Sequence, residues 1–276
     1  MSEVVRTMAE GIQGGLVMAT QVAQETALRQ SPNGIRFAVF GDAGIDEVEL
    51  TRMVQAVPVA IAAALARKSY YFVPLALAEG RSGEAVGHRS KEATMVSPEY
   101  TTELADLAIC HRNVALGAGE DGGEGVFIST RLLNDRFSLA FEFFINAGHA
   151  FVDEVGVAES FAELAWNQAV ADVRGETSMD AWESRSAALG GNDGAAQDGK
   201  RRIDEKAKTD FLEAAFSDAV AIYMLSLSVD FDYSELRERE YPLLAPQALA
   251  DRLRLVAGLF PPNADYEFAI RYRRRA

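Results

Sequence analysis

A chain of 276 residues with 49% apolar and 25% charged types, 22 Gly and 8 Pro can bury a sizeable core and is neither disordered nor collagenous. Its 41 acidic against 27 basic residues give a formal charge of −14, which repels nucleic-acid phosphates and anionic membranes. The single cysteine, Cys110, excludes an internal disulfide and a cysteine-ligated zinc site.

Glu3, Arg6 and Glu10 interrupt the stretch where a secretory signal needs an unbroken apolar region. The longest apolar run, Ala56 to Ala66, has 11 residues and contains Pro58, short of the roughly 20 that a membrane span requires. The expectation is a soluble, cytoplasmic protein without a membrane span and without a nucleic-acid partner. The one basic cluster, Arg271 to Arg275, either docks an acidic partner or balances the chain's own acidic surface.

Residues 4–29 show helical periodicity, and the turn residues Ser31–Gly34 separate them from a β-type run, Ile35–Phe40. A second helix is predicted over Asp46–Arg67, broken or kinked at Pro58, followed by an aromatic β-type run at Ser69–Leu75. Gly80–Gly83 reads as a turn, His88–Val96 as the returning strand of a hairpin, and Thr101–Val114 as a further helix. The glycine-rich loop Gly117–Gly125 leads into an alternating run, Val126–Leu132, predicted as a strand at a sheet edge.

From Asn134 onward apolar residues recur at spacings of three and four almost to Leu259. Gly190–Gly199 reads as a flexible surface loop and Lys200–Leu227 as a long helix. The fold class expected is α+β, a small mixed β-sheet followed by helices. It forms a single domain over 1–276, with a sheet-containing half at 1–133 and a helical half at 134–276.

The predicted helix at Phe137–Glu154 is very apolar but carries Glu142, Asn146, His149 and Asp153 within an arc of roughly 60° at 100° per residue. If buried, such a polar line must meet a partner helix, water, a metal or a substrate cleft. His149 and Asp153 are four apart, the spacing by which one helix directs two side chains at one ion. The same spacing serves two residues hydrogen-bonded to each other or to a neighbouring helix.

The order of a β-type run, the Asn134–Asp135 turn and the helix with Ile145, Asn146, His149, Ala150, Asp153, Glu154 and Gly156 resembles the zincin metallopeptidases, in particular the group of the anthrax lethal factor catalytic domain. In that family an edge strand precedes a helix bearing His-Glu-x-x-His, continued by alanine and acidic residues before a glycine. His149 matches the second histidine. Ile145 stands where the first zinc histidine belongs, and Asn146 where the glutamate base belongs. The later helix Phe211–Met224 is similar to the one that supplies the third ligand, with Ala214 at the ligand position and Glu213 one residue away.

Isoleucine cannot bind zinc, and asparagine cannot take a proton from metal-bound water. The resemblance therefore implies a zincin-like fold without conventional proteolysis, with Asn146 and His149 as remnants of the catalytic motif. Such a protein acts as a binding or structural module for a protein or peptide partner. The alternative is an active metal-dependent hydrolase whose site has slid by one turn. It would hold a single divalent ion on His149, Asp153 and Glu213, or on Asp210 or Asp218 in place of Glu213, and its oxygen-rich ligand set suits manganese, iron or magnesium.

Other signals are weaker. Phe37–Gly44 lacks the spacing of a nucleotide-binding glycine turn, and the acidic loop with Glu120, Asp121 and Glu124 lacks that of an EF-hand. His88 and His111 have no neighbour at a metal-ligand spacing. Nucleophile-elbow, Walker and Rossmann signatures are missing from the sequence.

Overall fold

A computed structural model describes residues 15–78, 94–105, 108–109, 111–116, 123–132, 136–190, 203–236 and 240–271. The chain is an α+β protein. It divides into two compact units, one of Met1–Gln55 with Ala66–Glu142 and one of Ala56–Leu65 with Phe143–Ala276.

In chain order the first unit begins with β1 (Val17–Met18), α1 (Ala19–Glu25), β2 (Arg29–Gln30), β3 (Arg36–Val39) and α2 (Glu47–Gln55). After α3 (Val59–Ala64), which belongs to the second unit, come β4 (Lys68–Val73), β5 (Leu75–Ala78), β6 (Thr94–Ser97) and α4 (Thr102–Ala105). Then follow β7 (Ala108–Ile109), β8 (His111–Ala115) and β9 (Glu124–Ser129). One sheet has the order β2-β3-β4-β9-β8, parallel at β3–β4 and β4–β9 and antiparallel at both margins. A second, antiparallel sheet has the order β1-β6-β5-β7.

The central strand β4 is buried along its whole length, which is why Tyr70–Val73 reads as an unbroken apolar run. Its first residue, Lys68, is buried too and pairs with the Glu124 carboxylate at the start of β9. Pro74 has no N–H to give a ladder, and the chain leaves the first sheet for the second at that residue. Ser129 at the end of β9 ties the two sheets, its Oγ accepting from the Ala76 N–H at 2.8 Å. Tyr71 and Phe127 stack at 4.6 Å in a core shared with Val22, Ala38 and Val96. Asp46 Oδ1 accepts from the Val48 and Glu49 N–H groups, each at 2.9 Å, and so caps α2.

Three expectations for this unit are corrected. The helix read over 4–29 is, among the described residues, only α1, because Val17–Met18 pair with Met95–Val96 and Arg29–Gln30 with Arg36–Phe37. Of the helix read over Thr101–Val114 the described residues show one only at Thr102–Ala105, and Ala108–Ile109 and His111–Ala115 form strands on β5 and β9. The strand that precedes the apolar helix is not at an edge: β9 lies between β4 and β8 and ends at Ser129, with one 3₁₀ turn at Thr130–Leu132. The break at Pro58 separates α2 from α3, and β6 returns antiparallel to β5 as the hairpin reading expects. Gly80–Gly83, His88, Cys110, Gly117–Gly122, the loop 191–199 and the tail from Tyr272 lie outside the described residues.

From Arg136 the chain is helical: α5 (Arg136–Val155), α6 (Glu159–Val170), α7 (Met179–Ala188), α8 (Glu205–Ser228) and α9 (Pro246–Leu259). Within the second unit α8 is the core element. Asp204 caps it through the N–H groups of Lys206 and Ala207, and Phe211, Phe216, Val220 and Tyr223 on it are buried. Phe216 packs on Phe151 of α5 and on Phe161 of α6. By length and composition α8 is apolar enough to cross a membrane, and 72% of its apolar window is buried by the rest of the protein.

Candidate functional site

The polar line on α5 runs from the interior to solvent. Asn146 is buried at 4% exposure, Glu142, Ile145 and His149 are half-buried, and Asp153 is exposed. One residue before His149, Gly148 meets α8. A Cβ built there would lie 2.7 Å from the Ser217 carbonyl oxygen and 3.3 Å from the Ala221 Cβ, so the two helices touch backbone to backbone. That contact is open only to glycine.

On α8 the nominated carboxylates diverge. Asp210 and Glu213 are exposed, whereas Asp218 is buried at 4% exposure. Among the described residues no group of three His, Cys, Asp or Glu side chains stands close enough to hold a metal ion, so His149, Asp153 and Glu213 are not brought together as a ligand set.

Asp218 instead joins a buried polar network that spacing did not reveal. The Thr177 hydroxyl donates to its Oδ2 at 2.7 Å. Burial pushes its carboxyl up to about 6, with Glu176 adding to the push, while hydrogen bonds from Ser178 and Thr177 and the charge of Arg252 pull the other way. Glu176, wholly buried, stands between two arginines. Arg252 on α9 reaches its two oxygens at 2.9 and 3.3 Å, and Arg185 on α7 reaches Oε1 at 3.2 Å. Both arginines also engage neutral groups: Arg252 donates to Gln168 Oε1 at 2.8 Å, and Arg185 to the carbonyls of Val173 and Gly175 at 2.7 and 3.0 Å.

Compared with family models, curated proteins and solved structures, the chain matches none.

The backbone around Glu176 is fixed as firmly as its side chain. Its N–H donates to the Pro242 carbonyl at 3.0 Å and its carbonyl accepts from Leu244 at 2.9 Å. Gly175, at φ 80°, lies where a Cβ would sit 2.0 Å from the Leu243 oxygen. A neighbouring depression is walled by Arg174, Trp182, Ser186 and Leu189, and Arg185 faces it with a guanidinium already bound to carbonyls and carboxylate. The network can hold α6, α7 and α9 around one buried carboxylate, through Gln168, Arg185 and Arg252. A readable signal for it lay in the sequence: Arg185 sits on the buried stripe Ala181–Arg185–Ala188, and Arg252 on the stripe Leu249–Arg252–Val256.

Proposed function

We propose that this chain is a zincin-like scaffold that acts as a binding or structural module for a protein or peptide partner and does not cut peptides. The observation that carries the reading is position 146. The residue that would activate water in a peptidase is here a neutral amide at 4% exposure, in a helix held against α8 at Gly148. The rest of the donor set supports it. Ile145 offers no lone pair, Asp153, Asp210 and Glu213 face solvent, and Asp218 is engaged by Thr177. The displaced hydrolase site needs His149 and two of those carboxylates on one ion, an arrangement that the geometry does not favour.

Calorimetric titration of the full chain with zinc and with manganese tests the reading. The expected result is no stoichiometric binding that depends on His149. A one-to-one site lost in both His149→Ala and Asp153→Ala overturns it.

A further inference from the structure

Beyond α9 the chain leaves through Pro261–Pro262 and lies on the second unit, turning where the Tyr266 N–H donates to the Asn263 carbonyl at 2.9 Å. The Tyr223 hydroxyl of α8 donates to the Phe260 carbonyl at 2.7 Å, and the Asn263 side chain bridges the Val57 carbonyl and the Val59 N–H at 2.8 and 3.0 Å. From Tyr266 the side chains alternate. Tyr266, Phe268 and Ile270 are half-buried, with Phe268 edge-on to Tyr223 at 5.2 Å, while Glu267, Ala269 and Arg271 are exposed. This is the period of a β-strand with one covered face. Among the described residues, however, 267–271 join no sheet, so the backbone of this strand-like stretch is left unpaired.

A backbone with strand-like alternation and no ladder partner is a template for a second strand, and this one is chemically complementary to itself. In an antiparallel pair of identical arms centred on Ala269, Glu267 of each copy faces Arg271 of the other on the exposed side, and Phe268 faces Ile270 on the covered side. Acidic residues precede the centre and basic residues follow it, which is the pattern that a two-fold interface requires of one strand.

We propose that the C-terminal arm is a self-association surface, pairing antiparallel with the arm of a second copy about Ala269. A two-stranded ribbon is marginal by itself, so the dimer is a weak one in rapid exchange with monomer.

Sedimentation velocity of the full chain over micromolar to sub-millimolar concentrations tests the proposal. Wild type is expected to show a concentration-dependent dimer. Glu267→Arg and Arg271→Glu should each weaken it by about tenfold or more, by placing like charges opposite each other. The double variant Glu267→Arg/Arg271→Glu should restore it. All these side chains are exposed, so the fold is not at stake. A chain that stays monomeric at every concentration, whatever peptide it binds, overturns the proposal. So does a dimer that ignores both reversals, or one that the double variant fails to restore.

Discussion

Arg252 and Glu176 meet with both side chains wholly excluded from solvent, the two guanidinium nitrogens reaching the two carboxylate oxygens at 2.9 and 3.3 Å. Desolvating two charges costs several kcal/mol each, so the pair is sustainable only because Arg185 and Gln168 satisfy the remaining groups. Removing one partner leaves the other buried and uncompensated. Glu176→Ala is expected to destabilise the protein by about 3–5 kcal/mol, read as a lowered midpoint in urea denaturation. A loss under about 1 kcal/mol would show that the network is solvated.

Asp218 makes stability depend on pH with an uncommon sign. Its folded-state carboxyl stands near 6 against an ordinary 3.8. Its contribution to stability is whole below 3.8 and is lost as pH rises through 6. Asp218→Asn keeps an acceptor for Thr177 and removes the charge. At neutral pH the variant should exceed the parent by about 2–3 kcal/mol. Denaturation across that pH range should show the gap closing on acidification. A gap independent of pH refutes the assignment.

Gly148→Ala sets helix propensity against packing. In an open helix the change gains up to about 1 kcal/mol. Here the new methyl meets the Ser217 carbonyl at 2.7 Å, and prying α5 from α8 costs about 1–3 kcal/mol. The expected sign is therefore destabilising, and a raised thermal midpoint would show that the two helices are not in contact.

Asn263→Ala removes the side chain that joins Val57 and Val59 across the chain. The start of α3 then loses both a donor and an acceptor, for about 1–2 kcal/mol in all. Hydrogen exchange should show the Val59 amide losing protection while the amides of α8 keep theirs. Unchanged exchange at Val59 contradicts the geometry.

The long helices α5 and α8 were legible because their apolar spacing extends over many turns. Strands β7 and β8 are not, since short segments can satisfy helical spacing while β5 and β9 claim their backbone. A helix over Thr101–Val114 leaves the strand Glu124–Ser129 without the outer neighbour that β8 provides.

At the candidate site, spacing correctly grouped Glu142, Asn146, His149 and Asp153 on one face, but depth changes along a helix. Asn146 ends inside and Asp153 outside, which the angular position of a residue does not encode. The buried network was missed because it assembles from residues as far apart as Gln168 and Arg252, and its clue was an arginine where an apolar stripe calls for a hydrocarbon.

The most direct measurement of the central claim is incubation of the metal-replete full chain, and of His149→Ala, with a degenerate peptide mixture read by mass spectrometry. The proposed zincin-like scaffold, with Ile145 and Asn146 in place of a ligand and a base, leaves every peptide intact in both samples. Cleavage by the parent chain that disappears in His149→Ala would contradict it.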